Sequence, residues 1–242
     1  MAEFDRPTVA ARPGTAAVVD EGLRSYMLKV YNYMGLGLVV TGLVAYFFNQ
    51  WAFSSEAAFN VVYQSLLTWV IMLAPLAFVL VLSFGITKLS VPVTQILFWA
   101  FAAVMGLSLS SIFAVYTSTS IAKVFFISAG TFGAMSLYGY TTKRDLTQIG
   151  SFLIMGLIGI IIASIVNIFL NSGALGFAIS IVGVLVFVGL TAWDTQKIKE
   201  SYNVGFGHDV LAKGAIMGAL SLYLDFINLF LMLLRIFGSQ RN

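Results

Sequence analysis

Seven apolar segments, each about long enough to cross a bilayer, follow one another in a chain of 242 residues. They lie near 27–49, 63–83, 94–116, 119–140, 150–171, 174–195 and 211–237. Hydrocarbon offers a backbone no partners, so such runs must satisfy their own hydrogen bonds as helices. Composition agrees: 60% of the residues are hydrophobic and 10% charged, against about 25% charged in a soluble domain. The expected fold is an all-α membrane protein, a seven-transmembrane-helix bundle over residues 24–242. Residues 1–23, which hold prolines, alanines and charges but no apolar core, read as a disordered tail. No signal-peptide pattern precedes the first span, so that helix itself is expected to direct insertion.

Basic residues set the expected orientation. Arg6, Arg12, Arg24 and Lys29 precede or open span one, and Lys88 follows span two. Lys143 and Arg144 follow span four, while Lys197, Lys199 and Lys213 lie between spans six and seven. The alternate connections carry none apart from Lys123, just inside span four. The positive-inside rule therefore predicts a cytoplasmic amino terminus and, after seven spans, an external carboxyl terminus. The alternative is a re-entrant seventh segment that returns the terminus to the inside. The short connections near 116–119 and 171–174 predict two tight hairpins, spans three with four and five with six. Small residues on spans three (Gly106, Ser110, Ala114) and five (Gly156, Gly159, Ala163) suit close helix packing.

Elimination narrows the chemistry. Without cysteine there is no thiol nucleophile, disulfide or thiolate metal site. The single histidine, His208, lies in a loop and cannot by itself supply a zinc site. A retinal-type Schiff base needs a lysine inside the last helix, whereas Lys213 only opens it. No phosphate-binding loop, nucleophile elbow or dinucleotide fingerprint is present, and the net charge of +3 is scattered over loops rather than gathered for nucleic acid. The expectation is of no enzyme and no cofactor.

Two intramembrane carboxylates remain. In 214-GAIMGALSLYLDFINLFLMLLR-235, Gly214, Gly218, Ser221, Asp225, Asn228, Met232 and Arg235 form one stripe at helical spacing. An acid turned to lipid costs several kcal/mol, so this stripe should face inward. Asp194, in 183-GVLVFVGLTAWDTQKIKE-200, is the other acid within a comparable run. Brought together in a partly desolvated site, the two would share a proton near neutral pH and, ionised, offer hard oxygens to Ca²⁺. Each could instead be satisfied separately, Asp194 by Lys197 and Lys199, Asp225 by serine and asparagine neighbours. Register opposes contact: Asp225 is twelve residues from Lys213, about 18 Å, but Asp194 only three from Lys197, about 4.5 Å. Meeting requires tilt, a deeper sixth helix with snorkelling lysines, or a water-filled vestibule.

The stretches 106-GLSLSSIFAVYT-117, 132-FGAMSLYGYTTKRDLT-147, 193-WDTQKIK-199 and 219-ALSLYLDFINLFLMLLRIFG-238 occur in an order that resembles the Bax inhibitor-1 (transmembrane Bax-inhibitor-motif) family, bacterial branch. The resemblance covers the chain after its tail. It implies a bundle with the seventh helix central, surrounded by the other six, and a pH-sensitive calcium leak sensed by Asp194 and Asp225. It places the protein in a bacterial inner membrane, with Ca²⁺ and protons as its small partners. It also implies a basic latch at the end of span two; here Gly85 stands where an arginine is expected, with only Lys88 nearby. The 197–213 connection carries extra residues around 201-SYNVGFGHD-209. Ser221, Asn228 and Lys88 are the expected supporting residues. The competing expectation is an adaptor that binds a membrane protease or another membrane protein through its tail or the 195–210 loop. A proton-coupled transporter is the weaker third reading, since no inverted repeat with paired broken helices is visible.

Overall fold

The computed structural model describes residues 13–241. They form α1 (Pro13–Ala52), α2 (Glu56–Tyr63), α3 (Leu66–Gly85), α4 (Val91–Leu109), α5 (Ile112–Val115), α6 (Ser118–Thr141), α7 (Thr147–Leu170), α8 (Gly173–Glu200) and α9 (His208–Phe237). Seven of these stretches are long and apolar enough to span a membrane, α4 and α5 together counting as one. The protein is an integral membrane protein.

Local signals set the helix ends. Oxygens of Ser55, Ser65, Thr117 and Ser172 accept hydrogen bonds from Ala58, Leu67, Ser120 and Leu175 amides at the starts of α2, α3, α6 and α8. Asn171, the one described non-glycine residue with positive φ (45°), closes α7 in the left-handed conformation. In the α6–α7 turn, Asp145 Oδ1 accepts from the Thr147 amide at 2.8 Å, and these bonds to Thr147 hold its carboxyl below the usual range. That contribution is complete above the ordinary aspartate range and fades as pH falls through the lowered pKa.

Two expectations are corrected here. The tail expected through residue 23 is helical from Pro13 onward, and residues 1–12 lie outside the described residues. Proline at a first helical position forfeits no intrahelical bond, so α1 can begin before the apolar run does. The expected third–fourth hairpin does not form along its length. α4 and α6 are joined by α5 and a short turn, but α1 and α9 each pack against both α4 and another neighbour instead. A short connection fixes only the distance between helix ends. The fifth and sixth spans do pair, as α7 on α8.

The last helix is the most buried: 67% of its most apolar window is enclosed, against 39% for α8 and 6% for α7. α9 packs on α1, α4, α6 and α8, while α3 rests on α4 and α7 on α8. It runs 30 residues without a break. Beyond it, the Ser239 carbonyl accepts from Thr117 N, and Arg241 N donates to the Val115 carbonyl, tying the chain end to the α5–α6 turn.

Between these helices most buried polar groups find a partner, with the Tyr63 hydroxyl and Asp225 Oδ2 as exceptions among the described residues. Tyr223 is fully buried; its phenol oxygen lies 2.6 Å from Thr41 Oγ1, which donates to the Ala102 carbonyl at 2.7 Å. One bond chain thus ties α9, α1 and α4. Thr41 has one proton, committed to Ala102, so Tyr223 is the donor to Thr41. Tyr223→Phe should therefore lower unfolding stability by about 1 kcal/mol, the net value of one buried hydrogen bond. A melt in detergent checks it; an unchanged midpoint would mean the bond contributes nothing net.

Candidate functional site

Asp225 stands in the middle of α9, 6% exposed, and its Oδ2 is buried without a hydrogen-bond partner. Asn228, expected to support it, instead donates from Nδ2 to the Leu224 carbonyl of its own helix at 2.8 Å. The reading in which serine and asparagine neighbours satisfy Asp225 is not what the structure contains. An unpaired buried polar oxygen costs on the order of 1–3 kcal/mol. It persists here because α9 is held on several sides by packed helices.

Asp194, half-buried near the end of α8, lines the same cavity as Asp225. That cavity, about 880 Å³, lies among α3, α4, α7, α8 and α9. Ser221 and Asn228 lie on its wall, so the polar stripe read from the sequence faces this space. Residues flanking and opposite the stripe on α9, among them Leu222, Tyr223, Phe226 and Leu229, are buried in the bundle. The outer walls are apolar, with Leu76 and Val79 from α3 and Leu157 and Ile161 from α7. Pro75, inside α3, is buried and also lines it.

The lysines do not close on the carboxylates. Lys197 Nζ lies over the Trp193 ring, 5.0 Å from its centroid. Lys199 Nζ donates to the Tyr140 carbonyl at the end of α6 (2.8 Å), and Lys213 Nζ to the Ile86 carbonyl just past α3 (3.3 Å). These ammonium groups sit where helix carbonyls are unpaired and the helix dipole is negative. No carboxylate of α8 or α9 within the cavity is in an ion pair among the described residues. Asp194 and Asp225 thus line one cavity although straight register opposed it, with Lys197 on the Trp193 ring and Lys199 and Lys213 on carbonyls.

Lys88, expected as a latch, is exposed in the α3–α4 connection and does not line the cavity. The basic contact at the end of α3 comes from Lys213 of α9. His208 is a surface residue, 3.7 Å from Asp209. No cluster of three or more metal-ligating side chains occurs among the described residues.

Sequence reasoning passed over Gln196, in the stretch that carries Asp194. It is 4% exposed; its Oε1 accepts from Leu146 N at 2.8 Å and its Nε2 donates to the Arg144 carbonyl at 2.8 Å. A single amide thus clips the α6–α7 turn to α8 two residues after Asp194. Nothing in the sequence linked it to the five-residue turn 142–146, which lies about fifty residues earlier.

The family described as inhibitor of apoptosis-promoting Bax1 matches residues 23–242. The chain is similar to inner membrane protein YbhL of Escherichia coli K12, 53% identical over 226 residues, covering 91% of this chain and 94% of that protein. It is 52% identical to protein RP147 of Rickettsia prowazekii over 223 residues, 92% and 93% of the two chains. A membrane protein of Streptococcus pyogenes, SpyM3_0260, is 37% identical over 221 residues, 91% and 95% of the two chains.

Proposed function

The chain belongs to the Bax inhibitor-1 family, and on that premise we propose that it is a pH-sensitive leak for cations, Ca²⁺ among them, in a bacterial inner membrane. The observation that carries the reading is Asp225, buried with one oxygen unpartnered and sharing its cavity with Asp194. With both carboxylates ionised, the wall carries two negative charges that lack a neutralising ion pair and attract a cation. A proton taken up by the pair removes part of that charge and turns one carboxylate from an acceptor into a donor. The two states differ in cavity charge and hydrogen bonding, so pH shifts the balance between them.

Ca²⁺ is cargo in this reading. Two carboxylates, Ser221 and Asn228 reach six oxygens, the bottom of the six to eight Ca²⁺ takes, only if both carboxylates bind through both oxygens, so its stay would be transient. The inner-membrane location follows from the similarity to YbhL.

The test is Ca²⁺ flux into proteoliposomes between pH 5 and 9. Wild type should leak with a pH midpoint, Asp225→Asn should leak without pH dependence, and Asp194→Asn should move or remove the midpoint. Flux no greater than in protein-free vesicles at every pH would sink the channel reading. The adaptor reading would then lead, and Val204 and Phe206, exposed in the α8–α9 connection, support that loop as its contact surface.

A further inference from the structure

A second cavity, about 690 Å³, lies away from the aspartates in a groove between α1 and α6. Met27, Leu28, Met34 and Phe132 make it apolar, Arg24 lines one end, and Gly35 and Gly133 lie further along. We propose that this groove holds one acyl chain of an anionic glycerophospholipid from the surrounding leaflet, with the headgroup phosphate on Arg24.

Length, charge and shape each support that occupant. From Arg24 to Gly35 is eleven residues, about 16 Å of helix, close to half of the roughly 30 Å hydrocarbon core. The groove is therefore about as long as one leaflet is deep. Arg24 has no ion pair or side-chain hydrogen bond among the described residues. Beside it Tyr140 also lines the groove, with Lys199 Nζ 5.4 Å from its ring centroid. Arg24 at the end of an apolar trough matches a phosphate on a hydrocarbon chain, and a zwitterionic headgroup would bring its own cation beside the guanidinium. The trough is held open at its floor: Tyr31 Oη and Ser136 Oγ bridge it at 2.7 Å, and Ser136 Oγ lies 3.0 Å from Thr195 Oγ1. A side chain added at Gly35 or Gly133 would meet nothing within 4 Å, so the space above the floor is empty of protein.

Native mass spectrometry of the detergent-purified full chain, titrated with equal phosphatidylglycerol and phosphatidylcholine of matched chains, tests this. Wild type should retain one phosphatidylglycerol in preference. Arg24→Ala should cut that preference about fivefold, the weight of one interfacial arginine. Gly133→Leu and Gly35→Leu, which fill the trough from opposite helices, should release the lipid. Gly130→Leu, equally open but outside the groove on α6, should keep it. Melting midpoints confirm that each variant is folded. Equal retention of the two lipids by wild type would overturn the proposal, as would full retention by the folded Gly133→Leu and Gly35→Leu proteins.

Discussion

Gly139→Ala should cost the bundle at least about 3 kcal/mol, the upper range for overpacking a core. A Cβ at this position would run into the Ala192 carbonyl oxygen and lie 2.8 Å from its carbon and 2.9 Å from its Cα. These are backbone atoms of α8, and a backbone cannot swing aside as a side chain can. Relief requires α6 and α8 to separate, which loosens Ser136 from Thr195 one turn away and the carbonyl that Lys199 caps. Gly133→Ala on the same helix meets nothing within 4 Å. It should be neutral or gain up to about 1 kcal/mol from helix propensity. Unfolding midpoints of the two variants in one detergent decide the matter. Equal midpoints would mean that the α6–α8 contact yields, and that the close approach carries no energy.

Gln196→Ala is expected to lose about 2–3 kcal/mol. The Leu146 side chain is 5% exposed, so its amide loses its partner in a place water reaches poorly. The Arg144 carbonyl, on an exposed residue, can turn to water and adds less. Gln196→Glu keeps an acceptor for Leu146 but cannot, while ionised, donate to Arg144; it also buries a charge, and should be no better than alanine at neutral pH. A local readout separates this from general loosening. Hydrogen exchange at the Leu146 amide should rise by about tenfold or more, ahead of amides in the middle of α8. Exchange unchanged at Leu146 would show that the turn is held by something other than the glutamine.

Much of the fold was legible because bilayer physics is written in long runs. Apolar stretches near 20 residues have one stable conformation in hydrocarbon, so the seven spans were read to within a few residues except at the start of the first and the end of the sixth, where helix runs on beyond the apolar stretch. The Asp225 stripe was legible for the same reason: a carboxylate is too costly to face lipid, whichever helices surround it. Its stripe does line the cavity, together with Asp194. Lys88 is exposed and off the cavity wall, since nearness in sequence to the end of α3 says nothing about reach across the bundle.

Small residues show the limit most clearly. Sequence spacing marked Gly106 and Gly159 alike. A Cβ at Gly106 would lie 2.7 Å from the Thr41 carbonyl, whereas at Gly159 it would meet nothing within 4 Å. Gly139, in a motif noted only for resemblance, is among the closest approaches in the protein. In lipid every helix face is apolar, so hydropathy cannot say which face meets a neighbour. By itself the sequence determined the class of fold, the number of spans and the two acids that must avoid lipid, because each follows from the cost of polar groups in hydrocarbon. Tertiary structure alone decided that the acids share one cavity, that Lys199 and Lys213 turn to carbonyls, and which glycines are pressed against a neighbour. Those depend on where separate helices come to rest, and helix packing in a membrane is chosen by shape among nearly equivalent apolar surfaces.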